Sequence, residues 1–584
     1  MNLELYFPDG SKEQLNMKSI EKGFHSAAVE APKGLEYMFV IDGKKKRPDP
    51  ASRFQPNGVH GHSAIVLPET FEWHDRNWRG TPRNVLILYE LHVGTFTSEG
   101  TFGAILSHLD YFKELGITAI ELMPVGQFPG TRNWGYDGVD LFAPQNSYGG
   151  PVELKRLVDG CHQKELSLFL DVVYNHVGPE GNYFADYGPF FSEKYTTPWG
   201  PAINYDGAGS DEVRKFVVQN AVYWINEFHL DGLRLDAVDK IFDFSPRNIL
   251  LEIEENVHQA AEVHGREVHV IAESDLNDPK LILPKKVGGY SLDAQWSDDF
   301  HHAVHAYLTG ERFHYFADFG EIDDIAKALS SSFVYDGQYS AFRDKMHGST
   351  AGDLGGEKFV FCLQNHDQVG NHPDGSRLSL LLNFDKLKVA VGLLILSQSI
   401  PLLFMGEEYR DNASFHYFVS HSKEELVKVV REGRKKDHQY LSSEREYLDP
   451  QAESTFLRSK LNHSLRSKES NIVTFEYYRD LIRLRKELLP LRILQRTSQE
   501  IILIKERRSI IMNRSFGEDL VRCYFVLSEN PEEFEDPSRE RLKLVFDSTN
   551  YEGRSIPLKS QRISREASKN QITLPPMSVT VFAK

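Results

Sequence analysis

A chain of 584 residues, 40% hydrophobic and 26% charged, has the composition of an ordinary folded protein and is long enough for roughly two to four domains. Its 67 basic against 84 acidic residues leave a net charge of -17, which argues against nucleic acid or another polyanion as the main ligand and favours neutral or cationic substrates. Three cysteines, Cys161, Cys362 and Cys523, cannot complete a disulfide framework, and the N-terminus shows no basic segment followed by an apolar run; a cytoplasmic protein without a secretory signal is expected.

Residues 1–84 alternate short runs with turn signals such as Asp42-Gly43, a hairpin dipeptide, and predict a small β-sandwich. From 85 to 494 the texture changes to eight apolar runs, from "VLILYELHVG" to "IPLLFMGEEY", separated by amphipathic helical patterns such as 210–229. Strand and helix alternating eight times predict an α/β fold, the closed (β/α)8 TIM barrel. The most apolar stretch, 387–409, is interrupted by Ser397, Gln398, Ser399 and Pro401, so it reads as a buried helix and a buried strand rather than a membrane span. Two insertions stand out: 174–210, rich in Gly, Pro and aromatics, is expected to rise over the barrel mouth, and 420–470 opens with a charged helix. From 495 to 584 short strand-like runs predict a C-terminal β-domain.

Each barrel run turns polar at its C-terminal end: His92, Asn175 and His176, Arg234 and Asp236, Glu273, Asp298 and Asp299, His366 and Asp367, Glu407 and Glu408. In this architecture that face holds the active site. The segment "DGLRLDAVDK" carries Arg234, Asp236 and Asp239 into an aliphatic run, where burying an unpaired ion costs several kcal/mol; the group is either a structural ion pair or a reactive site. Asp236 ends the fourth run, Glu273 the fifth and Asp367 the seventh. Splitting an acetal needs one group to protonate the leaving oxygen and another to trap the oxocarbenium-like carbon. Arg234, two residues before Asp236 and on the same side of the strand, would keep Asp236 ionised, while Glu273 at the end of "VHVIAE" would be held protonated by desolvation. Carboxyl groups on neighbouring strands are expected about 5 to 5.5 Å apart, the spacing of a retaining double displacement. Trp134, Tyr136, Trp199 and Trp296 fall in mouth-side loops or at strand ends, where rings could stack on pyranose faces. There is no HExxH or CxxC spacing, and no cofactor or metal is expected.

The segments "DVVYNH" (171–176), "GLRLDAV" (232–238), "VIAES" (270–274) and "QNHDQ" (364–368), in this order, resemble the four signature segments of the α-amylase superfamily of glycoside hydrolases. The resemblance implies Asp236 as nucleophile, Glu273 as acid/base and Asp367 as the aspartate that stabilises the transition state, with Tyr136, His176, Arg234 and His366 contacting the sugar beside the cleaved bond. Longer segments, among them "RPDPASRFQPNGVHGHSAIVLP" and "LDAQWSDDFHHAVHAYLTGE", are similar to a trehalose-releasing branch of the superfamily. That branch cuts the α-1,4 bond next to the terminal trehalose of maltooligosyltrehalose. The expected partner is the oligosaccharide substrate, with neither nucleic acid nor membrane, and the sequence leaves the oligomeric state open. Trp134, Asp239, Asp298, Asp299, His301, His302, Gln368 and Asn371 are further candidates for substrate contacts. Alternatives are a glucan branching enzyme, in which "SHDE" usually stands where this chain has "NHDQ", an α-amylase, and a catalytically silent glucan-binding barrel.

Overall fold

The computed structural model describes residues 1–67, 71–441, 447–551, 563–566 and 570–584. Its centre is a closed barrel of eight parallel strands: β1 Leu88–Leu91, β2 Ala119–Leu122, β3 Ser167–Val172, β4 Gly232–Leu235, β5 His269–Ala272, β6 Ala294–Trp296, β7 Phe359–Cys362 and β8 Ile400–Phe404. Neighbours pair in chain order and β8 closes on β1. Every residue of these strands is buried, which is why they read as continuous aliphatic runs rather than alternating ones. The eight runs found in the sequence are these eight strands.

Side chains alternate across a strand, so residues two apart share a face. The inward face carries a lower layer of Leu88, Ala119, Phe169, Ile271, Val360 and Ile400. Gly232 completes it, because a Cβ there would lie 2.2 Å from the Phe169 ring. Two residues further along, the same face carries Glu90, Glu121, Asp171, Arg234 and Trp296, all buried. The barrel is therefore greasy below and ionic above, and the ionic layer is the floor of the mouth.

The N-terminal strands form an antiparallel sheet in the order Lys12–Asn16, Asn2–Tyr6, Glu36–Ile41, Lys45–Arg47, with Ser63–Ala64 also paired to Glu36–Ile41. Lys45 Nζ and Arg47 Nε each reach the Asp186 carboxylate at 2.7 Å, tying this sheet to the insertion after β3. That insertion holds a hairpin, Phe191–Thr197 and Gly200–Ile203. After β8 come helices Glu424–Leu441 and Glu453–Arg458; residues 442–446 of that insertion lie outside the described residues.

At the C-terminus a five-stranded sheet (Gln499–Ile504, Ser509–Phe516, Asp519–Val526, Ser578–Ala583, Lys543–Asp547) and a three-stranded sheet enclose Tyr524, Phe534, Ile572, Leu574 and Phe582. The apolar stretch after β7 is the helix Phe384–Leu396, buried along most of its length. Among the described residues no helix is long and apolar enough to cross a membrane.

Candidate active site

The three acids stand at the mouth, each placed by a different local device. Asp236 follows β4, and its Oδ1 accepts from Arg234 Nη1 at 2.7 Å while its Oδ2 accepts from Asn175 Nδ2 at 2.8 Å. The same Arg234 nitrogen donates to Asp171 Oδ2 at 2.7 Å, and Nη2 lies 3.5 Å from Glu273 Oε2. The guanidinium is fully buried and stacks over the Trp296 ring at 4.4 Å. One fixed cation thus holds carboxylates from β3, β4 and β5, a paired arrangement that offsets the cost of taking an ion out of water.

Ala237, next after Asp236, adopts φ 38°, ψ 56°, a left-handed conformation that a non-glycine residue adopts only under strain. The turn aims the Ala237 N–H at Glu273 Oε2, 2.6 Å away. Burial, offset in part by Arg234 and reinforced by Asp236 and Asp367, pushes the Glu273 carboxyl well above the ordinary value. The raised pKa favours the protonated acid, with Oε2 accepting from the backbone and Oε1 left to donate.

Asp367 sits in a six-residue helix, His366–Asn371, that begins with a capping box. Asn365 Oδ1 accepts from the backbone N–H of Asp367 (2.9 Å) and Gln368 (3.2 Å), and Gln368 Oε1 accepts from the Asn365 N–H (3.0 Å). The Asp367 side chain is 47% exposed, the most open of the three acids.

Tyr136 and His366 are brought together beside them. Tyr136 donates to Asp171 at 2.6 Å, and its oxygen lies 2.8 Å from His366 Nε2. Gly135 makes this loop possible: its φ is 108°, and a Cβ would meet the Pro124 carbonyl oxygen at 2.1 Å. His176 donates through Nε2 to the Tyr136 carbonyl at 3.1 Å, and burial lowers its pKa. Trp199, on the hairpin over the mouth, is 49% exposed and stacks on the His176 ring with centroids 4.8 Å apart, so its outer face is open to a sugar. Asp298, lifted to about 7 by burial and then by Asp367, accepts from Gln368 Nε2 at 3.2 Å. Asn371 bridges Asp367 (3.5 Å) and Arg434 (3.0 Å). Beside this helix opens a cavity of 270 Å³, whose lining includes Tyr315, Gln368, Asn371, Tyr417 and Arg434.

Of the other sequence candidates His301 also lines that cavity, and the rest are placed elsewhere. Asp299 is buried and spent: its Oδ2 accepts from Asn277 Nδ2 (2.7 Å) and the N–H groups of Val334 (2.6 Å) and Tyr335 (2.9 Å). His301 binds the Leu363 carbonyl at 2.6 Å and is 2% exposed; burial first, then His305, lowers its pKa to about 3, so the ring is neutral. His302 stacks on Tyr315 at 4.6 Å and Asp239 is paired with Lys240. Trp134 forms part of the wall rather than a platform. It stacks on Phe415, donates to the His416 carbonyl, and presses where a Gly370 Cβ would stand 2.1 Å from its ring. Glu407 and Glu408 are buried against Gln364 and Tyr478, and Tyr89 and Tyr111. Glu90, Glu121 and Asp171 escape a reading of the sequence, although each shows the signal that draws attention to Asp236, an acid inside an aliphatic run.

Residues 65–197 match the family model for the alpha amylase catalytic domain. A malto-oligosyltrehalose trehalohydrolase from Saccharolobus solfataricus is 52% identical over 472 residues, covering 81% of this chain and 81% of that protein. The chain belongs to the malto-oligosyltrehalose trehalohydrolase family. A member from Arthrobacter ramosus is 43% identical over 459 residues, 78% of this chain and 80% of its own. By contrast, a 1,4-alpha-glucan branching enzyme from Geobacillus stearothermophilus is 26% identical and covers 62% of this chain. Among solved structures, a candidate alpha amylase from Salmonella typhimurium superposes with a TM-score of 0.88 at 35% identity, over 100% of this chain and 96% of that one.

Proposed function

We propose that the chain is a retaining glycoside hydrolase that cleaves the α-1,4 bond next to the terminal trehalose of maltooligosyltrehalose, releasing trehalose and a shorter maltooligosaccharide. The observation that carries the chemistry is the single buried Arg234 that pairs with Asp236 and reaches Glu273 on the neighbouring strand. Asp236, held by two donors, attacks the anomeric carbon as an ionised nucleophile. Glu273 gives its proton to the departing O4 of trehalose, then takes a proton from the water that releases the sugar from Asp236. Asp367, the exposed acid, binds ring hydroxyls of the glucosyl unit being transferred, with Tyr136 and His176 around it. Asp298, Gln368 and Asn371 remain the candidates for reading trehalose hydroxyls. Polar groups left unpaired by maltose would discriminate more strongly than apolar fit. Membership of a trehalohydrolase family and the more distant likeness to a branching enzyme favour hydrolysis over transfer, and the three buried thiols support a cytoplasmic location.

The mechanism predicts the stereochemistry of the first product. Proton NMR of maltooligosyltrehalose during early turnover should show free trehalose together with the α-anomer of the new reducing end, before mutarotation supplies the β-anomer. Initial release of the β-anomer would mean a single displacement and remove Asp236 from the nucleophile's role.

A further inference from the structure

Glu90, midway along β1, is 1% exposed and lies in register with the equally buried Glu121 of β2. Its carboxylate grips the first residue of the His366–Asn371 helix twice: Oε2 accepts the His366 backbone N–H at 3.0 Å, and Oε1 lies 2.5 Å from Nδ1. On the other side of the ring, Nε2 is 2.8 Å from Tyr136 Oη and 3.6 Å from Asp367 Oδ1. Tyr136 spends its only proton on Asp171, so towards His366 it can only accept, and Nε2 must carry hydrogen. Nδ1 faces a carboxylate and must carry one as well.

We propose that Glu90 is a positioning residue of the hydrolytic site, holding His366 as an imidazolium whose Nε2–H is directed at Tyr136 and Asp367. This rests on the hydrolase reading above and deepens it. The groups around the ring are consistent with one retained charge. Burial works against the imidazolium, but Asp367 and Glu90 outweigh it and lift His366 to about 9. Arg234 on β4 opposes this charge, and Asp171 on β3 reaches it through Tyr136. Burial first, then Glu90, pushes the Glu121 pKa well above the ordinary carboxylate value, and its two oxygens have no hydrogen-bond partner among the described residues. His92 is neutral, lowered by burial to about 3, and the Trp134 and Trp296 rings close the remaining sides. Glu90 is thus the carboxylate that clamps β1 to the helix bearing Asp367. The ring fixes Tyr136 and Asp367 in place, and hydrogen bonds from Asp367 to ring hydroxyls strengthen as the oxocarbenium-like state develops, so loosening the ring should influence kcat more than KM.

The test is a double-mutant cycle read in kcat and KM, with a spectroscopic arm that does not depend on activity. Glu90→Gln should lower kcat by about tenfold or more while KM changes little, Glu90→Asp should recover much of that loss, and Glu90→Gln added to His366→Asn should cost almost nothing further. Independent, multiplying losses in the double variant would overturn the proposal, as would a Glu90→Gln enzyme of wild-type kcat. In wild-type enzyme labelled with ¹³C at histidine Cε1, the resonance missing from His366→Asn should report a charged ring through pH 8. A ring already neutral at pH 7 would overturn the proposal whether or not the Glu90 variants fold. A wild-type enzyme that failed to hydrolyse the oligosaccharide would instead count against the hydrolase reading.

Discussion

Asp236→Asn lowers kcat on maltooligosyltrehalose by about 10⁴-fold or more, and Glu273→Gln by about 10² to 10⁴-fold, with both proteins folding as the wild type does. Each substitution keeps the shape of the side chain. In Asp236→Asn the amide oxygen could still accept from Arg234, but no anionic oxygen faces the anomeric carbon, so no glycosyl-enzyme forms with any leaving group. Glu273→Gln loses only the proton. A maltooligosyl fluoride, whose leaving group needs none, should restore its first step and leave Asp236→Asn inactive. The pH dependence has a defined sign: because burial raises the Glu273 pKa, the acid keeps its proton to higher pH than an ordinary glutamate, and kcat/KM of the wild type falls as pH rises through the raised pKa. Equal rescue of both variants by the fluoride would show the two roles to be wrongly divided.

Arg234→Met should be the most destabilising single change at the mouth. Among the described residues, Arg234 is the one cation that pairs with Asp171, Asp236 and Glu273 together, and removing one member of a buried ion pair costs about 3 to 5 kcal/mol because the others remain buried and unpaired. The loss should grow with pH. Asp171, chiefly through burial, has its pKa raised from 3.8 to about 7 even with Arg234 present. The folded state therefore binds more protons than the unfolded one, and the stability associated with this group, complete below 3.8, is lost as pH rises through about 7. Without the guanidinium the carboxyls hold their protons still more tightly, so the variant should unfold at lower denaturant at pH 8 than at pH 5 by a wider margin than the wild type. Arg234→Lys keeps the charge but not the planar fork, and should fall between the two. Unchanged denaturant midpoints for Arg234→Met across this range would mean that the acids are not charged against it.

The barrel was legible because buried parallel strands have an unmistakable texture, and the three acids were legible because each interrupts that texture at a strand's end. Of the ionic layer beneath them Arg234 and Trp296 were legible, while Glu90, Glu121 and Asp171 were not, although they break their strands in the same way. Each lies one residue before its strand's last position and reads as part of the apolar run; Arg234 has the same place on its strand but stands two residues from Asp236. Asp299 is misplaced by sequence for a reason of periodicity: adjacent helical residues point about 100° apart, so with Asp298 at the mouth, Asp299 must face the Val334–Tyr335 backbone. His301 and His302 share Asp298's side of the helix Asp298–Thr309 but lie a turn deeper, where rings pack on rings. The "NHDQ" signature proves to be a capping box. "SHDE" would serve the same cap, so the difference that separated hydrolase from branching enzyme in the sequence lies in residues whose hydrogen bonds are largely local.

Selection of the trehalose end is measured by offering the enzyme maltooligosyltrehalose and a linear maltooligosaccharide of equal length under the same conditions. Trehalose should be released from the first with a kcat/KM about 10²-fold or more above that for cutting the second. Equal values on the two substrates, or the appearance of α-1,6 branches on amylose, would contradict it.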